Sequence, residues 1–253
     1  MLPVDWEEVG RRVKQALGLS HAPIAITFSQ ETPAGVPFHE GKMPEPSRDG
    51  RTGKVTAGCV FWIQSEERTF TTKAADHFNC SVGSVTHGLK TLEEVMQNED
   101  VRGLLESEWV TPEEAMQLPV VKNRYKFITY GPISQTSIDP DVILLRLSAF
   151  QGMMLHDAFS DMPIVGKPQC HIIPLAKEHN QIAMSTGCTL SHIRTGMSPD
   201  EMTCAIPGNR FTEVVEKLEA RREANARVAR YANADGRRFT KNYTSYASSR
   251  KEP

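Results

Sequence analysis

The pattern that most constrains this chain is the alternation of apolar, β-prone runs with helix-prone segments. YKFITYG at 125–131 and DVILLRL at 141–147 carry the β-branched and apolar content of core strands, and AFQGMMLHDAF, which follows, suits a helix. Residues 23–28 form another apolar run, RTFTT at 68–72 alternates like a short strand, and EMTCAIP at 201–207 precedes a long charged helix with an apolar stripe. At the start of the chain, Val4, Val9, Val13 and Leu17 fall near helical spacing, with acids early and bases late as the helix dipole favours. The expected class is therefore α/β (or α+β), a mixed β-sheet with flanking helices.

Residues 91–118 read as two further helices, the second capped by Thr111 with Pro112 in its first turn. They would form a small helical insertion in a single domain spanning 1–234. Residues 40–54 have the glycine, proline and charge of an exposed loop leading to Cys59. The basic residues 235–253 read as an extended or mobile tail, or one that wraps a second subunit in a homo-oligomer.

With 39% hydrophobic and 24% charged residues, the chain can bury a sizeable core. A formal net charge of -2 gives no global pull toward nucleic acid or an anionic membrane. Basic and aromatic residues interleave near the C-terminus, but a solvated helix face explains them better than nucleic-acid binding. The N-terminus lacks the basic and apolar regions of a leader, and no run approaches the ~18 apolar residues of a membrane helix. A cytoplasmic protein is expected, with a small-molecule substrate or an electron-transfer protein as partner.

Five cysteines, an odd number spread over about 145 residues, do not resemble the dense framework of a small secreted domain. As thiols they are open to roles as core fillers, nucleophiles, redox sensors or metal ligands. No Cys-x-x-Cys pair, His-Glu-x-x-His helix, phosphate-binding loop or dinucleotide fingerprint is present. What distinguishes four of them is their setting. Cys59 follows Gly58, Cys80 precedes a Gly/Ser run, Cys170 follows Lys167 and Pro168, and Cys188 follows Gly187. Glycine and turns free the backbone to aim a thiolate and to donate amide hydrogens to sulfur. Cys204, in TCAIP, reads instead as a strand-core residue.

His77, His87, His171 and His192 each lie near one of these cysteines and could ligate, move protons or bond to sulfur. His192 and Arg194 are the catalytic candidates, because a loop after Cys188 could present both toward an anionic substrate. His156 and Asp157 face different directions on a helix, and Met153, Met154 and Met162 suit the core.

LGLSHAPIAITF, the two separated early cysteines, the KPQC segment, the cysteine eighteen residues later and DEMTCAIPGNRFTEVVEKL resemble the domain-of-unknown-function family 169 over about residues 5–220. That family, an uncharacterised ArCR group of archaea and bacteria, typically has four cysteines in this order, matching Cys59, Cys80, Cys170 and Cys188, and none at Cys204. Its prevalence in anaerobes implies an oxygen-sensitive cofactor, with a 4Fe-4S cluster favoured over zinc. Both accept four thiolates. Typical members carry Asn-Gly-Asp-Arg after the last cysteine, whereas this chain has Thr189-Leu190-Ser191-His192-Ile193-Arg194. The resemblance implies the cofactor and no reaction; the expected function is an iron-sulfur oxidoreductase or lyase of anaerobic metabolism acting on a small molecule. Zinc binding or sensing without catalysis, and a plain ligand-binding domain with structural thiols, are the other readings.

Overall fold

A computed structural model describes residues 3–40, 58–77, 80–195 and 197–247, with the backbone alone at 194, 229 and 233–247. The loop expected at 40–54 lies outside the described residues, Glu40 excepted.

In chain order the principal elements are α1 (Trp6–Leu17), β1 (Ile24–Ser29), α2 (Gly58–Gln64), β2 (Phe70–Lys73) and α3 (Ser81–Thr86). Three short helices follow, α4 (Leu92–Val95), α5 (Glu99–Glu106) and α6 (Pro112–Met116), and then β3 (Phe127–Pro132), β4 (Val142–Ser148) and α7 (Ala149–Ala158). The last part holds β5 (Ile164–Val165), α8 (Ile172–His179), β6 (Ala183–Ser185), α9 (Thr189–Thr195), β7 (Glu201–Pro207) and α10 (Phe211–Ala247).

The strands form one mixed sheet in the order β2-β3-β1-β4-β7-β6-β5. Among the named strands of the described residues, β5 and β6 pair in parallel and the other pairings are antiparallel. The α/β class holds, as a predominantly antiparallel sheet with helices on both faces.

Side chains alternate across a strand, so β4, buried on both sides, serves two cores at once. Ile143, Leu145 and Leu147 join α1, α7 and the start of α10, whereas Val142 and Leu144 face the core that contains Phe61, Trp62 and Ile172. Ile143 opposes Ile206 and Leu145 opposes Cys204 in the register with β7. Cys204 is fully buried there, with its thiol pushed up by burial, so the strand reading of this residue stands.

Arg146 is the charged exception on β4. It is 8% exposed and pairs with both oxygens of Glu201, one at 2.9 Å, and with Glu66, which in turn meets His21 Nδ1 at 3.0 Å. The pairing is geometric, because Glu201 lies diagonally across β7 from Arg146 on the same face of the sheet.

The insertion contains three helices where two were expected. Thr91 and Thr111 each close a capping box, with Glu94 and Glu114 respectively, and Pro112 sits in the first turn of α6 as anticipated. The expected extended tail is corrected as well: the backbone of 235–247 continues α10 as helix. Once the buried first turns Phe211, Val214, Val215 and Leu218 supply the nucleus, each further residue adds a hydrogen bond at small cost. Beyond the Arg12–Glu219 ion pair at 2.5 Å the helix leaves the core, and Val228 and Tyr231 are exposed. Residues 248–253 lie outside the described residues.

Candidate metal centre

The core built on Phe61, Trp62 and Ile172 ends in a narrow, mostly apolar cavity of about 30 Å³. Cys59, Cys80, Cys170 and Cys188 all line it, although their sequence separations reach well over a hundred residues. Trp109, Pro168, Gln169 and Ser191 complete the parts of the wall that matter for its chemistry.

Each thiol arrives by a separate device. Cys59 sits in the first turn of α2, which is held down by the buried rings of Phe61 and Trp62. Cys80 is the N-cap of α3, and its sulfur accepts the Gly83 backbone N–H at 3.3 Å. A Cβ at Gly83 would lie 3.1 Å from that sulfur, so glycine here is a close-approach residue. Cys170 lies in the turn between Pro168 and α8. Cys188 caps α9, its carbonyl accepting the His192 N–H at 3.1 Å.

The cavity makes lone thiolates expensive. Burial, then the neighbouring Cys80, pushes the Cys59 thiol up to about 12, against a hydrogen bond from Ser191 that lowers it. Burial and Cys80 likewise raise Cys170, with Thr86 acting in the opposite sense. Such thiols are poor nucleophiles at neutral pH. A thiophilic cation or cluster would supply the positive charge that lets them deprotonate together.

Polar side chains beside the thiols join the turns. Gln169 Nε2 donates to Ser191 Oγ at 2.6 Å, and Ser191 lies 3.0 Å from the Met197 sulfur. Gln169 is 2% exposed, yet its Oε1 has no protein partner. Behind Cys59, His87 Nδ1 meets the Gly83 carbonyl at 2.8 Å, so Nδ1 carries the proton and the unpartnered Nε2 is a lone pair. His77 Nε2 meets Thr72 Oγ1, whose hydroxyl donates to the Ile128 carbonyl; Nε2 therefore donates, and Nδ1 is a second buried lone pair. Both rings are fully buried, and their pKa values are depressed chiefly by burial, that of His87 to about 4.

Residues 12–217 match the family described as uncharacterised ArCR, the domain-of-unknown-function family 169. The chain belongs to this family. No curated protein and no solved structure matches it. The family 169 segment contains all four cavity cysteines and ends one residue before Leu218, which packs in the core with Phe211, Val214 and Val215 of α10.

Of the residues singled out from the sequence, the four thiols share one cavity, and Cys204 lies in the core on the opposite face of the sheet. His192 does not line the cavity. Its Nδ1 donates to the Met197 carbonyl at 3.1 Å, and its ring packs on Gly187, where φ is +104° and a Cβ would lie 2.7 Å from Nε2. It thus braces the turn that presents Cys188. Arg194 lies on α9, and its side chain lies outside the described residues. His171 has a buried, unpartnered Nε2 and lines a neighbouring cavity. Gln169, Ser191, Thr86 and Trp109 were missed: Gln169 and Ser191 adjoin cysteine segments, but nothing in their own spacing marks them.

Four thiols on one apolar cavity, an amide N–H on one sulfur and hydroxyls beside two others fit an iron-sulfur cluster. Among the described residues no three His, Cys, Asp or Glu side chains stand close enough to hold a single metal ion. Tetrahedral zinc at about 2.3 Å from each sulfur requires tighter clustering than a multi-iron cluster does. The interior is narrow, so the turns bearing the thiols would have to part on loading.

Proposed function

We propose that this chain is an iron-sulfur protein whose cluster is held by Cys59, Cys80, Cys170 and Cys188, and that it acts as a redox or lyase-type enzyme on a small molecule. The observation that carries the reading is the convergence of four thiols from four separate segments on one apolar cavity. When bound, a 4Fe-4S cluster supplies electron transfer or, where one iron is left open, a site that activates a small substrate.

The chain's own residues support that use in specific ways. The Gly83 N–H and the Ser191 hydroxyl stabilise negative charge on sulfur, which favours the deprotonated ligands and tunes their electron donation. Trp109, Val82 and Leu190 in the wall limit the access of water. Gln169 Oε1 is an unsatisfied buried acceptor that can take an N–H or O–H of a bound substrate. His192 supports the Cys188 turn rather than touching the reacting atoms.

Anaerobic purification with iron, sulfide and zinc analysis tests the proposal. About four irons and four sulfides per chain, with a broad visible absorption lost in the Cys59→Ser and Cys188→Ser variants, are expected. One zinc and no sulfide would support the non-catalytic metal-binding alternative. A colourless protein without metal, which also fails to take up iron and sulfide under reducing conditions, would refute both.

A further inference from the structure

A larger cavity, about 260 Å³, opens on the other side of Trp109. Small-molecule pockets begin at roughly 300 Å³, so this one has room for a compact metabolite. Trp109 and Leu118 from the insertion form one wall; Lys167, Pro168 and His171, around the Cys170 turn, form the other. Trp109 and Pro168 also wall the cysteine cavity, so an occupant here would be separated from the thiols by one layer of side chains.

The polar groups at this vestibule define what it can hold. The Lys167 ammonium donates to the Trp109 carbonyl oxygen and rests 5.0 Å from the centre of the Trp109 ring. An ammonium has three donors, and the carbonyl takes one. A cation is thereby fixed at the cavity with donors to spare. His171, in the cavity wall, adds a buried ring nitrogen, Nε2, without a protein partner. The Glu114 carboxylate is already engaged through the Thr111 N–H at 2.8 Å in its capping box. The remaining contact surface includes the indole of Trp109 and the side chains of Leu118 and Pro168.

We infer that the vestibule binds a small monocarboxylate, its carboxylate on Lys167, its planar or apolar body against Trp109 and Leu118, and a polar substituent within reach of His171. The site uses none of the four thiols. It therefore goes beyond the cluster reading, and each can fail without the other.

Ligand-observed NMR titration of the full chain with benzoate, and with benzamide as its uncharged counterpart, tests the inference. Benzoate is expected to bind with Kd of about 1 mM, roughly tenfold tighter than benzamide. Lys167→Met should abolish that preference by weakening benzoate alone, and Lys167→Arg should restore most of it. Equal binding of the two probes, no detectable binding of benzoate, or a preference unaltered in Lys167→Met would overturn it. Iron and sulfide content does not enter any of these outcomes.

Discussion

The Gln169 amide donates to the Ser191 hydroxyl at 2.6 Å, joining the residue before Cys170 to the helix capped by Cys188. Two thiol-bearing turns, distant in sequence, are thus held in register by one buried hydrogen bond. Partners of this kind around a metal site typically contribute 10–100-fold in affinity. Ser191→Ala should therefore lower iron and sulfide occupancy after anaerobic reconstitution while leaving the far-ultraviolet circular dichroism unchanged. Unaltered occupancy under limiting iron would remove Ser191 from the site.

The crowding of Cys80 by Gly83 gives a sharper steric test. A methyl at Gly83 would stand 3.1 Å from the Cys80 sulfur, beside the N–H that the sulfur accepts. Gly83→Ala is expected to displace the thiol and reduce cluster content, with a loss of about 1–3 kcal/mol in urea denaturation from overpacking. Wild-type iron content in Gly83→Ala would show that the turn yields freely.

The metal-free protein should hold the Cys59 thiol protonated across the ordinary range. Because burial and Cys80 push it up to about 12, thiolate content must keep rising about tenfold per pH unit where an exposed cysteine would level off near 8.5. Iodoacetamide labelling followed by peptide mass spectrometry should give a Cys59 rate that still climbs between about pH 9 and 10. A plateau near 8.5 would contradict the burial of this thiol.

Acid should destabilise the fold through His77 and His87. Both are buried as neutral rings, and the His87 pKa falls from 6.5 to about 4 on folding. Between those values the unfolded chain binds the extra proton, so stability rises with pH through this window and is lost as pH falls. For His87 alone the full loss is about 3 kcal/mol. Urea midpoints of the metal-free protein from about pH 4.5 to 7 should show this slope, and His87→Gln should flatten it.

Arg146 is buried between Glu201 and Glu66, so removing it leaves two carboxylates without their cation. Arg146→Met is expected to cost about 3–5 kcal/mol, and adding Glu201→Leu should recover a large part of that. Equal stability of Arg146→Met and the double variant would mean that the unpaired Glu201 carboxylate carries none of that cost.

Much of this architecture was legible because strong local signals agreed with the tertiary outcome. The 141–147 run became β4, residues 4–18 held α1, and Thr111 with Pro112 started α6 where expected. The turn setting of four cysteines also separated them from Cys204, whose period-2 position on β7 points into the other core. Other features had no local signature. β5 is two residues long and exists through its parallel pairing with β6. Gln169 and Ser191 matter because separate turns converge, and Trp109 matters because the insertion folds back over Pro168; neither relationship is visible in spacing. Adjacency of His192 to Cys188 in sequence does not fix which way a ring on α9 faces; the ring lies on Gly187, with Nδ1 at the Met197 carbonyl.

The division of β4 between two cores has a practical consequence for engineering. Its odd-numbered residues Ile143, Leu145 and Leu147 meet α1, α7 and α10, whereas the thiols belong to the opposite side of the sheet. Changes that tighten the first core can raise thermal tolerance while the cysteine pocket keeps its wild-type residues. A robust scaffold and an altered pocket can be developed as separate libraries and then combined, since distant sites without shared partners contribute nearly additively.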